Sequence, residues 1–315
     1  MTKDRQYLNP GILVDRKAPY VMAALFALVT CFMYATDTYL VRQGLAKTPQ
    51  PLVATVITLS VNFTFFVILS FLFVPAHFLR FDWIYPFIIA GVLAPGAARA
   101  FSYKGIEKLG LSINTPIVNA ESLFAVVMAI LFLNEPINLP VVAGILSVVT
   151  GLVLLGYETG RRKGSSATKR IEYRYLFFPI MASIFYGMSV FFRKLGLNTV
   201  SSPILGATFT SGTSWCIFMI TLLNGGNRKA LFEVKKQSLI YFLLGGVTTC
   251  IGWFALFTAL SIGKVTIVTP IATSYSLVTL LLSYFLLRRV ELITLKIVVA
   301  TILVVGGVIL LSVLK

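Results

Sequence analysis

The stretch SINTPIVNAES at Ser112–Ser122 decides the fold of this chain, because TIVTPIATSYS at Thr266–Ser276 nearly repeats it 154 residues later. With one further leucine on each stretch, six of the twelve aligned positions are identical, and they include a shared Thr-Pro-Ile. Each stretch places a proline, Pro116 or Pro270, inside an apolar segment. Proline lacks a backbone N–H and clashes with the preceding helical turn, so we expect a helix kink at both positions.

Long apolar segments make up most of the chain. Of its 315 residues 57% are hydrophobic and 12% are charged, and the mean hydropathy is +0.90. A helix needs about 20 apolar residues to cross a membrane. Ten such spans are predicted, at residues 20–42, 52–74, 84–104, 112–133, 138–157, 175–193, 203–223, 239–260, 266–287 and 295–314. Because the spans lack the alternation of barrel strands, the predicted fold class is an all-α integral membrane protein with ten transmembrane helices.

A second pair of stretches repeats at nearly the same offset. YATDTYLVRQGL from Tyr34 aligns with YGMSVFFRKLGL from Tyr186, 152 residues later. The two offsets place five spans in each half, and an odd number of spans gives the halves opposite topologies, as in many secondary transporters. The predicted organisation is a polar N-terminal segment at 1–19, a first five-helix repeat at 20–157, a basic linker at 158–174 and an inverted second repeat at 175–315.

This arrangement resembles the drug/metabolite transporter superfamily, and within it the ten-helix EamA-type transporters. The resemblance rests on the two five-helix halves, on the early proline of spans 4 and 9, and on FLNEP at Phe132–Pro136, which is similar to the F-L-G-E ending of the family's fourth helix. Asn134 stands where glycine is usual, and the second half departs further with LLRRVE at Leu286–Glu291. The resemblance covers nearly the whole chain, but its motifs identify no substrate.

The resemblance implies a secondary transporter that moves small polar or amphipathic metabolites, often outward, by alternating access around a cavity lined by spans 1, 3, 4, 6, 8 and 9. It also implies a plasma-membrane location with both termini in the cytoplasm. The distribution of Lys and Arg opposes that orientation, because the N-terminal side carries nine and the other side seventeen. Since the linker alone supplies six of the seventeen, we favour the orientation of the family.

Charge and motif content argue against other classes. The net charge of +16 comes mostly from short loops, where membrane lipids are the expected partner and nucleic acid is not. A single histidine, His77, and the absence of a Gly-rich phosphate loop predict no enzyme activity, metal or cofactor. The cysteines have no disulfide or metal-binding spacing and are expected to serve packing; they are Cys31, Cys216 and Cys250.

Three ionisable side chains lie inside predicted spans: Asp37, Arg99 and Glu121. A charge at the bilayer centre costs about 2.5–3.5 kcal/mol on insertion scales, so each is a functional candidate. Asp37 and Glu121 could carry a coupled proton, because a carboxyl group removed from water favours its neutral form. The alternative is that both acids only neutralise Arg99. Arg99 could itself hold a substrate carboxylate or phosphate through its planar fork of donors.

Neighbouring polar and aromatic side chains are predicted to line the same cavity. The polar candidates are Tyr34, Tyr103, Asn114 and Asn119, three of which share a helical stripe with an ionisable residue. The aromatic candidates are Trp253, Phe257 and Tyr275, which could form an apolar wall or serve packing alone. The bends at Pro116 and Pro270 could expose backbone carbonyls near the substrate or could be packing kinks.

Small residues spaced four apart on span 5 allow close helix packing: Ala143, Ser147 and Gly151. We favour contacts within the monomer over a homodimer. The predicted function is transport of a small-molecule substrate, with two alternatives. An exchanger of phosphorylated or nucleotide-linked solutes should gather several cations in its cavity, where the sequence offers Arg99 almost alone. A non-transporting membrane scaffold would have no need of charged residues at bilayer depth.

Overall fold

The computed structural model describes residues 18–75, 80–109, 114, 117–136, 138–163, 173–225, 231, 233–275, 277–279, 282 and 295–313. Within these residues ten helices follow the ten predicted spans in order. They are α1 (Ala18–Lys47), α2 (Pro51–Phe73), α3 (Phe81–Leu109), α4 (Glu121–Leu133), α5 (Leu139–Lys163), α6 (Phe177–Thr199), α7 (Pro203–Asn224), α8 (Lys236–Ile262), α9 (Val265–Thr273) and α10 (Leu295–Val313). Six of them are long and apolar enough to cross a membrane, namely α1, α2, α3, α6, α7 and α8. The predicted fold class is confirmed.

Each main contact between two helices is repeated by the contact between their counterparts in the other half. Helix α1 of the first half packs against α8 of the second, and its counterpart α6 packs against α3, the counterpart of α8. In the same way α4 packs against α6, and α9 packs against α1. Helix α2 contacts its own counterpart α7, and α5 contacts its own counterpart α10. This pattern is the one expected of inverted repeats, in which each half completes the other.

The largest apolar core lies at the end of the bundle where α1 begins, which we call the N-terminal face. Its members come from the start of α1, such as Ala23 and Ala27, from the start of α3, such as Phe87, and from the end of α8, such as Leu260. Because successive helices run in opposite directions, these helix ends lie on one side of the bundle. Burial of this apolar surface closes the bundle at the N-terminal face.

Two charged side chains reinforce the same face. Glu135, just beyond α4, accepts hydrogen bonds from the backbone N–H groups of Val265 and Thr266 at 2.8 and 3.0 Å. These two groups lie in the first turn of α9, where backbone N–H groups have no partner within the helix. Lys194 of α6 donates to the carbonyls of Leu260 and Gly263 at the end of α8, at 2.7 and 2.8 Å. Two charged side chains, one from α6 and one from the segment that follows α4, therefore bind the connection between α8 and α9.

Helix α6 extends six residues beyond the predicted span at 175–193, and this corrects the count of charges on the two sides. Arg193 and Lys194 were both counted on the N-terminal side, but α6 continues to Thr199, and Arg193 is buried inside the helix. No proline interrupts the chain until Pro203, so the helix can continue. Lys194 stays on the N-terminal side, where it binds the end of α8, whereas without Arg193 the excess of positive charge on the opposite side becomes larger.

The fourth and ninth helices are interrupted at equivalent positions. Asn119 and Ala120 form a turn before α4 begins, so the periodicity argued from Asn114 to Glu121 does not describe one continuous helix. Ser274, 154 residues after Ala120, forms the corresponding turn at the end of α9. The hydroxyl of Ser274 donates to the carbonyl of Pro270 at 2.9 Å, which gives this carbonyl a partner at the interruption. Pro116, the other predicted kink, lies outside the described residues.

The small residues of α5 pack against α10. Ser147 donates to the carbonyl of Leu303 at 2.7 Å. A methyl group on Gly151 would come within 2.8 Å of the carbonyl oxygen of Ala300. Ala143 is exposed. Two of the three small residues thus serve contacts inside the chain, and a homodimer stays a prediction.

Candidate functional site

Helix α3 is broken near its middle, and side chains of the second half bind the backbone that the break leaves free. Ala94 has extended backbone angles, φ −150° and ψ 133°, and Pro95 follows it. Ser189 of α6 donates to the carbonyls of Ala90 and Ala94 at 2.8 and 3.2 Å. Ser214 of α7 donates to the carbonyl of Gly91 at 2.8 Å. These donors replace the helical bonds lost at the break, as backbone inside a membrane requires.

Arg193 is the third side chain at this break. Its Nη2 donates to the carbonyl of Ala94 at 3.0 Å, and its guanidinium carbon lies 5.0 Å from the ring centre of Trp253 and 5.5 Å from that of Phe257. The residue is only 7% exposed, and among the described residues its Nε has no hydrogen-bond acceptor. A cation over two aromatic rings is attracted by their π-electrons. Arg193 therefore has a fixed position and an unused donor.

Arg99 lies beyond the break, on the side away from the N-terminal face, and is partly exposed. Its Nη1 donates to the hydroxyl of Thr55 at 3.4 Å, and that hydroxyl lies 2.8 Å from the hydroxyl of Tyr103. The hydroxyl of Tyr186 is within hydrogen-bonding reach of the guanidinium, and Asp37 lies within electrostatic range of it. Arg99 thus has weaker contacts than Arg193 and more exposed surface.

Two tyrosines at equivalent positions of the two repeats lie near both arginines. Tyr34 of α1 and Tyr186 of α6 each lie within electrostatic range of both guanidinium groups. The ring of Tyr34 also packs edge-on against Tyr275, with 5.9 Å between ring centres. Tyr34, Arg99 and Tyr186 lie away from the ends of their helices and keep some exposed surface. We call this group the central cluster; it consists of Tyr34, Asp37, Arg99, Tyr103, Glu121, Tyr186, Arg193 and Tyr275.

The two acids of the central cluster form no close ion pair with its arginines. Among the described residues, ion pairs within 4.0 Å join only Arg80 to Asp82 and Lys108 to Glu107. Asp37 lies within hydrogen-bonding reach of Thr249 of α8, and its Oδ1 is buried without a partner in that part of the chain. Glu121 lies within electrostatic range of Arg193. The hypothesis that both acids directly neutralise Arg99 therefore finds no support in the contacts.

The structure gives the remaining candidates other surroundings. Asn114 is buried and donates to the hydroxyl of Ser102 at 3.1 Å. Asn119 is buried in the turn before α4, and its Nδ2 lacks a partner among the described residues. Trp253 and Phe257 are also buried, as members of the large apolar core over which Arg193 lies. In this conformation they form the floor beneath Arg193 and not an open aromatic wall.

A comparison with known families decides the class of the protein. The model of the EamA-like transporter family matches residues 21–157 and 174–313, which together are most of the chain. The chain belongs to the EamA-like transporter family. It is thus a multi-pass membrane transporter, and its two matched segments coincide with the two halves that the packing relates.

Two further similarities concern the repeat and the fold of this EamA-family chain. An uncharacterized protein of Methanocaldococcus jannaschii, MJ1333.1, is 28% identical over 134 residues, which cover 42% of this chain and 93% of that protein. The relative is thus about as long as one half. A solved crystal structure of a protein shares the fold, with a TM-score of 0.73 at 14% identity, over 93% of this chain and 99% of that one.

Sequence reasoning missed two members of the central cluster, Tyr186 and Arg193. Tyr186 was aligned with Tyr34 but was not carried into the site, although equivalence to a candidate was a usable signal. Arg193 was taken as the last residue of its span and counted on the N-terminal side, because the predicted span ended too early. The break at Ala94 was missed as well, and its signal was the Pro-Gly pair inside an apolar segment, LAPGA at residues 93–97.

Proposed function

We propose that this chain is a secondary transporter that moves a small polar or amphipathic metabolite across the plasma membrane by alternating access, in the outward direction. The observation that carries the proposal is the central cluster itself. Two arginines, two acids and four tyrosines lie close together, next to a helix whose backbone is broken. Charged groups at this depth are costly and are kept where a substrate or an ion uses them.

The inverted halves supply a route for alternating access. The described apolar core closes the N-terminal face, while the partly exposed residues of the central cluster lie on its other side. Exchange of the conformations of the two halves would open this face and close the opposite one around the same cluster. Export follows the resemblance to family members, which often move metabolites outward.

A second candidate function gains support from Arg193. An exchanger of phosphorylated or nucleotide-linked solutes needs more than one cation in its cavity, and the sequence had offered Arg99 almost alone. Arg193 adds a second guanidinium within electrostatic range of the same tyrosine, Tyr186. Phosphorylated metabolites therefore belong in the first panel of substrates to be tested.

The test of the proposed function starts with the purified protein. A thermal-shift screen against amino acids, purines, sugars and phosphorylated metabolites selects stabilising solutes, and uptake of those solutes into reconstituted vesicles follows. We expect Arg99→Gln to abolish both the stabilisation and the uptake. Arg80→Gln is the matched control, because Arg80 is exposed at the start of α3. If no solute that stabilises the protein enters the vesicles, the proposal is wrong.

Proton coupling by Asp37 or Glu121 is a separate part of the proposal. Uptake is measured with and without a pH gradient for Asp37→Asn and Glu121→Gln, which keep the size of each side chain but remove its charge. We expect at least one variant to lose its response to the gradient. Glu107→Gln serves as control, because this acid is exposed and pairs with its neighbour Lys108 at 2.7 Å. An unchanged response in both cavity variants removes the coupling.

A further inference from the structure

We infer that Arg193 and Arg99 together bind an anionic group of the substrate, so that the transported metabolite carries a carboxylate or a phosphate. This inference rests on the proposed function and narrows its substrate class. The structure contributes the second guanidinium, and its surroundings give the reason.

Arg193 carries a buried positive charge. The residue is 7% exposed, and among the described residues no carboxylate lies within 4.0 Å of its guanidinium. Arginine stays charged at every pH at which a protein folds. A buried cation without a close counter-charge carries a desolvation cost that the two aromatic rings and one carbonyl offset only in part. Glu121 lies within electrostatic range of this cation without a close ion pair to it, so an anion bound beside Arg193 would supply the close counter-charge.

Arg193 also has hydrogen-bond donors in a fixed orientation. Arg193 uses Nη2 on the carbonyl of Ala94, and Nε remains without an acceptor in the described part of the chain. Guanidinium groups bind carboxylates and phosphates through two parallel N–H donors. The stacking of Arg193 over Trp253 and Phe257 fixes the plane of this fork. The side chain is thus oriented before any ligand arrives, which lowers the entropy that binding has to overcome.

Tyr34 and Tyr186 connect the surroundings of the two arginines. Tyr186 is within hydrogen-bonding reach of Arg99 and within electrostatic range of Arg193, and Tyr34 is within electrostatic range of both. The two tyrosines come from equivalent positions of the two repeats. Both tyrosines therefore lie near both guanidinium groups. An anion bound beside these tyrosines would be attracted by one arginine from each half of the chain, Arg99 on α3 of the first and Arg193 on α6 of the second.

The test measures binding to the full-length protein in detergent, with the emission of Trp253 as signal. The guanidinium lies 5.0 Å from its ring centre, so an anion that contacts Arg193 changes the surroundings of the indole. Glycolate, phosphoglycolate and glycolamide are titrated at constant ionic strength set with sodium chloride. These probes share one carbon frame and differ in whether they carry an acid. We expect a saturable change with glycolate or phosphoglycolate and none with glycolamide or chloride. Trp253→Phe should remove the signal.

Variants then assign the effect to the arginines. Arg193→Gln and Arg99→Gln should each weaken anion binding by at least roughly tenfold, the loss expected when hydrogen bonds to a charged group are removed. Arg193→Lys keeps the charge but loses the fork, and it should bind more weakly than the native protein if Arg193 contacts the anion. Arg80→Gln should bind like the native protein. Should Arg193→Gln fail to fold, Arg193→Lys and Arg99→Gln still decide the question.

Two outcomes overturn the inference. One is a response to glycolamide equal to that of the acids, and the other is anion binding that both Arg193→Lys and Arg99→Gln leave unchanged. Vesicle transport separates this result from the proposed function. Transport of a solute without an acidic group, unaffected by either arginine variant, refutes the inference and leaves the transporter in place. Anion binding without transport of any solute supports the site and refutes the proposed function.

Discussion

Helices α3 and α8 occupy equivalent places in the two repeats, yet only α3 is broken. The offset of 154 residues sets Gly91 against Gly245, and sets Pro95 at the break against Thr249. Around Thr249, α8 runs as one helix from Lys236 to Ile262. The hydroxyls of Thr248 and Thr249 both donate to the carbonyl of Gly245 at 2.9 Å, so their bonds stay within the helix.

The same offset shows how the two repeats divide the chemistry. Arg99 and Tyr103 of α3 align with Trp253 and Phe257 of α8. The first repeat thus supplies a cation and a hydroxyl, while the second supplies the two rings on which Arg193 lies. The architecture is repeated, and the functional groups are not. The differences between the halves therefore point to where specificity resides.

The largest effect is expected of Thr249→Pro, which gives α8 the proline of α3. We expect a loss of about 3 kcal/mol or more in the free energy of unfolding, because proline removes a helical bond and clashes with the preceding turn. At the offset of 152 residues that relates α1 to α6, Ser189 and Arg193 align with Asp37 and Val41. An ionised carboxylate and a valine cannot donate to a freed carbonyl. Thermal unfolding in detergent measures the loss.

Thr249→Ala is the matched control for that variant. It removes a hydroxyl that bonds the carbonyl of Gly245 in its own helix and lies within hydrogen-bonding reach of Asp37, so it should change the stability by no more than about 1 kcal/mol. If Thr249→Pro unfolds at the same temperature as Thr249→Ala, α8 tolerates a break as α3 does, and the difference between the two helices has no energetic basis.

An intermediate effect is expected at the equivalent glycines, Gly91 and Gly245. A methyl group on Gly91 would come within 2.5 Å of the carbonyl oxygen of Thr210, part of the backbone of α7. On Gly245 it would approach only side chains, Oδ1 of Asp37 at 2.8 Å and Cγ2 of Val41 at 3.0 Å. Side-chain ends can move and backbone cannot, so Gly91→Ala should cost about 1–3 kcal/mol. Gly245→Ala should cost less in the same unfolding measurement.

Activity gives the two glycine variants a second readout. The added methyl group of Gly245→Ala would crowd Asp37 of the central cluster, so we expect this variant to alter transport more than stability. Gly91→Ala should lower the amount of folded protein first. The reverse order, with Gly245→Ala as the less stable of the two, would contradict the packing described for α7.

The smallest expected effect concerns Ser189. Ser189→Ala removes the donor to Ala90 and leaves Arg193 as the only described side-chain donor to the carbonyl of Ala94. A net hydrogen bond contributes about 1 kcal/mol, so we expect a loss of that size. Thr258→Ala is the control, because its hydroxyl bonds its own helix at the carbonyl of Phe254. Equal stability of the two variants would mean that the break in α3 does not depend on the hydroxyl of Ser189.

Hydropathy was sufficient to predict the ten helices and their order, because the membrane-spanning length and the apolar run are set by local composition. The inverted halves followed from the Thr-Pro-Ile match and the odd number of spans. Helix ends were less accurate, since a polar residue such as Arg193 can remain inside a helix when aromatic rings and a carbonyl receive it. That compensation comes from residues distant in sequence, and no local pattern contains it.

The candidate site was predicted in part for a related reason. Asp37, Arg99 and Glu121 stood out because charge inside an apolar run is visible in any sequence. Their separation was not visible: the two acids were expected to neutralise Arg99, and the described residues contain no such close pair. The break in α3 is stabilised by Ser189, about one hundred residues further along the chain. Such pairings depend on which helices become neighbours.

The contact of Glu135 with the first turn of α9 has a consequence for how the molecule is put together. Glu135 belongs to the first half, and the N–H groups of Val265 and Thr266 belong to the second. A relative about as long as one half indicates that such a unit exists as a separate polypeptide. A second half synthesised alone would leave these two groups without their carboxylate. This contact therefore forms only once both halves of the chain have folded against each other.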